Sequence, residues 1–298
     1  MPVYNHVDYV GEAIGSVIAQ TRSDWRLIVV DDGSTDGSAE LLDELAGQDD
    51  RITVIRQSNA GPAAARNTAL AQGGGPWLTF IDSDDLWAPN ALQLYMDYIT
   101  EHPETKFIYG YRHRLNPDGS TTESSGEFQD ASTGTSELFG RMYLSHLCVC
   151  WRRELLDKTA PYDASLRSCE DYELYLRLSL HTRFDPLGQA TGQRRRHDTN
   201  ISRQTGFSRV QEAEVLRRFY ERQGGDQVLE AGNVTRRLGR LYYAAGRQYF
   251  KARCFAQARK AIELAHRYRK TRKGKAIAIA SKLLGFMGTS DGREMPHF

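Results

Sequence analysis

This sequence has few cysteines and no long apolar run, and its first residues do not resemble a leader. No run of about 18 apolar residues occurs, so no transmembrane helix is predicted. The segment from Met1 to His6 lacks a basic region followed by an apolar core, so it does not resemble a secretory signal. Four cysteines in 298 residues are too few for a disulfide scaffold, and the spacing of Cys148 and Cys150 does not suit a common zinc knuckle. We therefore expect a cytoplasmic protein with free thiols.

Two nucleotide-binding signatures are absent as well. No G-x-G-x-x-G follows an apolar run, which removes support for a nicotinamide-binding Rossmann enzyme. No G-x-x-x-x-G-K-[ST] occurs, which excludes phosphoryl transfer on a P-loop. Hydrophobic residues make up 40% of the chain and charged residues 26%, so a folded protein is expected rather than a disordered one.

Charge is divided unevenly along the chain. The formal net charge is +1, but residues 1–150 hold 9 Lys and Arg against 22 Asp and Glu, a balance of −13. Residues 151–298 hold 30 against 16, a balance of +14. The first half can therefore gather cations, and the second can meet phosphates or an anionic surface.

The first hundred residues alternate between strand and helix patterns. Residues 27–30, 52–55 and 77–81 are short apolar runs, and helical patterns separate them. Such spacing predicts βαβ units and a mostly parallel sheet, in which ligands bind beyond the carboxyl ends of the strands. The predicted fold class is therefore α/β. Acidic clusters follow the first and third runs, so the expected ligand site is acidic.

The rest of the chain is less regular and becomes basic. A strand is predicted at 107–111, a loop or hairpin over the site at 118–136, and a helix at 170–181. From about residue 207 the pattern is helical, and residues 238–265 resemble one tetratricopeptide-type hairpin, which is a weak signal for a single unit.

Each acidic or basic cluster allows more than one interpretation by itself. Asp82-Ser83-Asp84 suits a hard divalent cation that holds phosphate oxygens, but an Asp-rich turn also caps helices. An aspartyl phosphatase is disfavoured, because Leu86 stands where such enzymes usually carry Thr or Val. Asp31-Asp32 can accept from a ribose or base or cap a helix. Glu170-Asp171 suits the first turn of a helix, and Arg194-Arg195-Arg196-His197 can be a solvated basic face.

Taken together and in order, these motifs resemble the family 2 glycosyltransferases, which are inverting, nucleotide-sugar-dependent enzymes with the GT-A fold. The resemblance covers about residues 1–205 and implies a nucleotide-binding part at about 1–100 and an acceptor part at about 101–205. Residues 206–298 are then a helical, basic C-terminal extension. The motifs that carry the resemblance are Pro2-Val3-Tyr4-Asn5, Val30-Asp31-Asp32-Gly33-Ser34, Asn59-Ala60-Gly61-Pro62, Ala65-Arg66-Asn67, Phe80-Ile81-Asp82-Ser83-Asp84-Asp85 and Glu170-Asp171-Tyr172.

The resemblance also implies roles for individual residues. Asp171 would be the general base, and Asp84 would ligate Mn²⁺ or Mg²⁺ on the donor diphosphate, with His197 as a second metal contact or a structural residue. Tyr4 would stack on the base, and Asp32 would accept from it. The remaining donor-binding residues would be Pro2, Arg66 near the base or diphosphate, Asp82 at the ribose or a metal-bound water, and Ser83.

The chemistry of sugar transfer requires these residue types independently. Breaking the sugar–phosphate bond develops charge on the leaving diphosphate, which a bound cation stabilises. The acceptor hydroxyl loses a proton as it attacks, and a carboxylate can take that proton. A single displacement inverts the anomeric carbon without an enzyme nucleophile. The expected partners are a nucleoside-diphosphate sugar, most commonly of UDP, and a glycan or lipid-linked glycan acceptor.

Two further expectations concern the ends of the sequence. The family normally has an apolar strand directly before the Pro2-Val3-Tyr4-Asn5 segment, so we hypothesise that the true start lies upstream of Met1. Residues 267–282 carry seven Lys and Arg and no acid, so this segment either lies on anionic lipid or is a solvated helix. A catalytically weak nucleotide-sugar-binding or helical interaction protein without the first strand is the alternative function.

Overall fold

The structure, a computed structural model, describes residues 1–123, 133–196 and 205–286. It divides into two compact units, Met1–Asp198 and Thr199–Phe298. No helix in these described ranges is long and apolar enough to span a membrane.

The first unit begins with a three-stranded parallel sheet in the order β1–β2–β3. β2 is built from β-branched residues and is almost fully buried, because helices cover the sheet. Its interior contacts include Val10, Ile14 and Val17 of the first helix. The elements are β1 (Pro2–Val3), α1 (Val7–Ile18), β2 (Leu27–Asp31), α2 (Ser38–Gln48), β3 (Ile52–Arg56) and α3 (Pro62–Gln72).

A second, mixed sheet follows in the order β4–β8–β6–β9–β5, with β7 paired to β6. Only β6 and β9 pair in parallel here, and the other pairs are antiparallel. The elements are β4 (Trp77–Thr79), β5 (Leu86–Trp87), α4 (Ala91–Glu101), β6 (Phe107–Leu115), β7 (Thr121–Thr122), α5 (Thr135–Gly140), β8 (Val149–Arg152), α6 (Glu170–Leu178) and β9 (Asp185–Arg195). Short 3₁₀ turns cover His146–Cys148 and Arg153–Asp157.

A cleft of about 860 Å³ lies where the two sheets meet. Leu27 and Ile28 of β2 line it, together with Trp77, Leu78 and Thr79 of β4. β1 is only two residues long and pairs with the carboxyl end of β2. It therefore does not extend along this cleft, which lies beside the amino end of β2.

The first amino group is enclosed beside the same cleft. The Met1 ammonium donates to the carbonyl oxygen of Ile28 over 2.9 Å. Burial, followed by the positive charge of Arg66, lowers the pKa of this amino group to about 5. The hypothesis of an apolar strand ahead of Met1 stays a prediction.

The second unit is helical in its described part. α8 and α9 pack as a hairpin, in which Gly246 of α8 faces Ile262 and the carbonyl of Ala258 on α9, so that the helices approach closely. The elements are α7 (Thr205–Arg222), α8 (Ala231–Lys251), α9 (Phe255–Tyr268) and α10 (Arg272–Phe286).

The predicted α/β class with a helical extension is confirmed, but the strands form two sheets, and β4, expected in a mostly parallel sheet, pairs antiparallel with β8 in the second one. The strand predicted at 77–81 ends at Thr79, because residues 80–85 turn away to form the acidic loop. The strand predicted at 107–111 continues to Leu115, since it pairs with β9 along that length. Of the segment 118–136, β7 forms a hairpin with β6, and residues 124–132 lie outside the described residues.

Candidate active site

The acidic loop, residues 80–85, leaves β4 at its carboxyl end. Asp82 and Asp84 are half-buried, whereas Ser83 and Asp85 between and beside them are buried. Asp85 accepts a hydrogen bond from the backbone N–H of Arg195 over 3.0 Å. Burial, together with the charges of Asp84 and Asp82, raises the pKa of Asp85 well above its usual range. The loop is therefore tied to β9, and its negative charges are crowded.

Arg66 joins the acidic loop to the start of α6. Its guanidinium Nη2 lies 2.7 Å from a carboxylate oxygen of Asp82, and Nη1 lies 2.6 Å from Glu170. Burial by itself raises the pKa of Asp82, but the charge of Arg66 outweighs it and brings that pKa to about 2. Burial likewise acts to lower the pKa of Arg66, and the two carboxylates raise it above its ordinary value. Asp82 is therefore ionised and held in place by a buried cation.

Asp171 lies next to that ion pair, in the first turn of α6. Its enclosed position, followed by the negative charge of Glu170, raises the pKa of Asp171 to about 6. A carboxylate oxygen of Asp171 accepts from the backbone N–H of Tyr172 over 2.7 Å. A carboxyl group with a pKa close to neutrality can take up a proton and release it again, as a general base requires.

His146 was not among the residues that sequence analysis singled out. It is buried, and its ring stacks on Phe80 at the start of the acidic loop with centroids 4.5 Å apart. Nδ1 bonds to the hydroxyl of Tyr175, and Nε2 lies 3.3 Å from the hydroxyl of Tyr162. Burial, followed by the charge of Arg66, holds the pKa of His146 well below its usual range, so the ring is neutral. A lone histidine beside Leu147 and Cys148 carries no sequence signal for this position.

The loops after β1, β2 and β3 form the other side of the site. Asp32 is buried, and Oδ1 accepts from Gln57 over 2.7 Å and from the Ala60 N–H over 2.9 Å. Its Oδ2 accepts from the Gly61 N–H over 2.8 Å. Asp32 thus fixes the loop that precedes α3, while Oδ2, with this single bond, can accept one more.

The loop after β1 is joined to its neighbours by hydrogen bonds. The side chain of Asn5 accepts from the Thr35 N–H over 2.7 Å, and the ring nitrogen Nδ1 of His6 lies 2.6 Å from the hydroxyl of Ser83. Pro2 belongs to β1, and Tyr4 beside it is 49% exposed. The ring of Tyr4 is accordingly accessible to a planar ligand.

Of the two predicted metal ligands, Asp84 and His197, the structure describes only Asp84. Asp84 is a half-buried carboxylate on the acidic loop, and the Nε of Arg195 donates to its backbone carbonyl over 3.1 Å. His197 lies outside the described residues. Within the described ranges, no three His, Cys, Asp or Glu side chains are grouped to hold a metal ion. A cation held by Asp84 would need ligand oxygens from a bound diphosphate, which suits Mn²⁺ or Mg²⁺ because both accept carboxylate and phosphate oxygens.

Asp82, Ser83, Arg66, Glu170 and Asp171 are therefore close together at one edge of the fold. Asp32 and Tyr4 lie on neighbouring loops of the first sheet. Sequence reasoning did not predict the pairing of Arg66 with Glu170. The only sequence signal for it was that Glu170 stands directly before Asp171, a predicted site residue.

The chain is similar to known glycosyltransferases in sequence and in fold. The sequence profile of Glycosyl transferase family 2 matches residues 1–159. The hyaluronan synthase of Pasteurella multocida is 25% identical over 227 residues, which is 75% of this chain and 23% of that protein. The chondroitin synthase of the same species is 26% identical over 204 residues, 68% of this chain and 21% of that protein. The chain thus spans about a quarter of the length of these relatives or less.

Two solved structures share the fold. TarS 1–349 of S. aureus, in complex with UDP-GlcNAc, superposes with a TM-score of 0.60 at 18% identity, over 99% of this chain and 93% of that one. The mannosyltransferase PcManGT of Pyrobaculum calidifontis, in complex with GDP-Man and Mn²⁺, has a TM-score of 0.58 at 16% identity, over 96% and 79% of the chains. Since the family profile covers more than half of the sequence, the protein belongs to Glycosyl transferase family 2.

Proposed function

We propose that the protein transfers one sugar from a nucleoside-diphosphate sugar to a hydroxyl of a glycan or lipid-linked glycan, with inversion at the anomeric carbon. Asp171 is the general base in this proposal. The observation that carries it is the chain of contacts from Asp82 through Arg66 to Glu170, which holds Asp171 beside the acidic loop.

The donor lies across the carboxyl ends of β1, β2 and β4. Tyr4 stacks on the base, and the free acceptor capacity of Asp32 Oδ2 receives a base N–H. Ser83 and Asp82 face the ribose and diphosphate, and Pro2 helps to shape the base pocket. TarS binds UDP and UDP-GlcNAc, and PcManGT binds GDP-Man. We infer UDP as the donor nucleotide of this chain.

Asp84 would hold Mn²⁺ or Mg²⁺ at the donor diphosphate, with His197 as a second candidate ligand. Such a cation, when bound, stabilises the charge that develops on the leaving diphosphate. Asp171, with its pKa of about 6, is ionised at neutral pH and takes the proton of the attacking hydroxyl. Arg66 keeps Asp82 ionised and holds Glu170 next to Asp171, the general base.

The acceptor reaches the site from a membrane surface. On α10, Ile279 and Leu283 are each 62% exposed and lie four positions apart, and the exposed Lys275 and Lys282 share their side of the helix. A helix with apolar and basic residues on one exposed face suits the interface of an anionic membrane. Such a contact concentrates the enzyme near a lipid-linked acceptor.

Donor binding is the first test. UDP-, GDP- and dTDP-sugars are titrated calorimetrically with and without Mn²⁺ against wild type and Asp84→Asn. Asp50→Asn is the matched control, since Asp50 is exposed and precedes the amino end of β3, whereas the proposed donor site lies at the carboxyl ends of the strands. We expect one nucleotide to bind in a metal-dependent manner, with that dependence lost only in Asp84→Asn.

Turnover is the second test. Asp171→Asn should keep donor binding and lose both donor hydrolysis and transfer. Binding without turnover in wild type favours the alternative of a catalytically weak nucleotide-sugar-binding protein. Absence of binding by every donor to a cooperatively melting wild type contradicts the proposal.

A further inference from the structure

Three arginines share one face of the β6–β9 pair. These strands run parallel with Arg114 aligned to Arg194, and Arg112 aligned to Gly192. Residues two apart on a strand point to the same face, and aligned residues of neighbouring strands do so too. Arg112, Arg114 and Arg194 therefore form a group, called here the arginine cluster.

Two members of the cluster make no ion pair with any residue that the structure describes. Within residues 1–123, 133–196 and 205–286, Arg112 and Arg114 make no ion pair or side-chain hydrogen bond. Arg112 is nevertheless half-buried. Burial, followed by the positive charge of Arg194, lowers the pKa of Arg112. A partly desolvated guanidinium beside another cation is unfavourable unless an anion joins them.

Packing explains why Arg112 is enclosed. Gly192, across from it on β9, has Leu147 so close that a Cβ there would lie 2.7 Å from Cδ2 of that leucine. The turn at His146–Cys148 thus covers this end of the strands. Asp85, whose charge acts on Arg112, accepts a hydrogen bond from the Arg195 N–H and has the other acids of its loop around it. Among the described residues Asp85 forms no ion pair with Arg112 or Arg114, although its charge opposes the lowering of the Arg112 pKa.

The cluster lies close to the acidic loop and belongs to the second sheet. Asp32 belongs to the first sheet, whereas the arginines belong to the second. The acidic loop follows β4, the first strand of the second sheet along the chain. Arg194 is near enough for its charge to lower the pKa of Asp82. An anion at the cluster would thus lie next to the reacting end of the donor.

We propose that Arg112, Arg114 and Arg194 bind an oxyanion group, a phosphate or a carboxylate, carried by the acceptor. This rests on the proposed function, because it assigns the acceptor class to the same site. A planar guanidinium donates two parallel hydrogen bonds to such a group, and several together hold its position. The acceptor is then an anionic glycan or glycan precursor, oriented by its charge toward Asp171.

The test uses small anions as probes on the full chain. The donor pocket is first saturated with UDP and Mn²⁺. Glycerol 1-phosphate and glucuronate are then titrated in separate arms at constant ionic strength. Wild type is compared with Arg112→Gln/Arg114→Gln, with Arg112→Lys, and with Arg240→Gln as the control that removes one exposed arginine from α8. Thermal melts verify that each variant is folded.

We expect at least one probe to bind alongside UDP. The double variant should weaken it about tenfold or more, since charge-assisted bonds are lost. Arg112→Lys should retain part of the affinity, and Arg240→Gln all of it. The UDP affinity of the double variant should stay within about twofold of wild type, as expected for residues outside the donor site.

Three results overturn the inference: neither probe binds wild type, the probe displaces UDP, or the double variant loses UDP affinity as strongly as probe affinity. The last result would assign the cluster to the donor diphosphate. If wild type binds no UDP at all, the proposed function fails. The same titrations without UDP then still decide whether the arginine cluster binds an oxyanion.

Discussion

Arg66 and Glu170 are 104 positions apart in the sequence and lie 2.6 Å from each other in the fold. Arg66 also lies 2.7 Å from Asp82, so one buried guanidinium serves two carboxylates from different parts of the chain. The Nε of Arg66 is buried without a hydrogen-bond partner in the described residues, so the orientation of the group depends on these two acids. This bridge sets the distance between the acidic loop and the start of α6.

Loss of the bridge should destabilise the protein. Arg66→Gln leaves the Asp82 and Glu170 carboxylates without their buried cation, which typically costs about 3 kcal/mol or more. Arg259→Gln is the matched control, because Arg259 is 51% exposed and its pair with Glu263 lies on the surface of α9, so its loss should change the stability little. Urea unfolding of both variants measures the difference. Equal, small losses would show that the bridge does not support the fold.

The rate should depend on the ionisation of Asp171. Since its pKa is raised to about 6, kcat should rise with pH through that value and then level off as the base becomes ionised. Arg66→Gln removes a positive charge that lowers this pKa, so its acid limb should move to higher pH. Asp171→Asn should reduce kcat by about 100- to 10,000-fold. A flat profile between pH 5 and 8 would be incompatible with Asp171 as the base.

Stability of the chain that starts at Met1 should rise between pH 5 and pH 8. Its amino group has a pKa of about 5 when folded, against 8.0 for the unfolded reference. The unfolded state therefore binds more protons in that interval, and raising the pH favours the folded state by up to about 4 kcal/mol.

N-terminal acetylation isolates this effect, because it removes the charge and keeps an N–H for the Ile28 carbonyl. The free-amine and acetylated chains are compared by denaturant unfolding at several pH values. The difference between them should shrink as the pH rises to 8. A constant difference would mean that the amino group is not buried in solution.

An added strand should fill the cleft between β2 and β4. Four apolar, β-branched residues placed ahead of Met1 would lie beside Leu27 and Ile28 and face Trp77 and Thr79. Burying a large side chain contributes roughly 1.5–3 kcal/mol each before ordering entropy is subtracted, so we expect a clear rise in Tm. A polar extension of the same length is the control. Equal melting temperatures for the two extensions would contradict this use of the cleft.

Membrane contact should depend on the exposed face of α10. Replacing Ile279 and Leu283 by Ser removes its exposed apolar side chains and should reduce co-sedimentation with anionic vesicles. Lys251→Ser, on an exposed position of α8, is the control. Binding that is unaffected by the α10 changes, or equal binding to neutral vesicles, would exclude this surface.

Much of the fold and of the candidate site could be predicted from sequence, because the signals are local. The β-branched run at Leu27–Asp31 and the proline at the start of Pro62–Gln72 specify a strand and a helix within a few residues. The order of the acidic motifs indicated the family, and the family profile confirms it. The resemblance to that family singled out Asp82, Asp84 and Asp171 as site candidates, and their roles stay predictions.

The tertiary structure alone decided which distant groups meet. The pairing of Arg66 with Glu170, the burial of neutral His146 under Phe80, and the register that aligns Arg114 with Arg194 depend on packing between elements far apart in the chain. The raised pKa of Asp171 has the same origin, because desolvation and neighbouring charge exist only once the site is assembled. Local sequence patterns determine elements, whereas long-range contacts determine the electrostatics of the site.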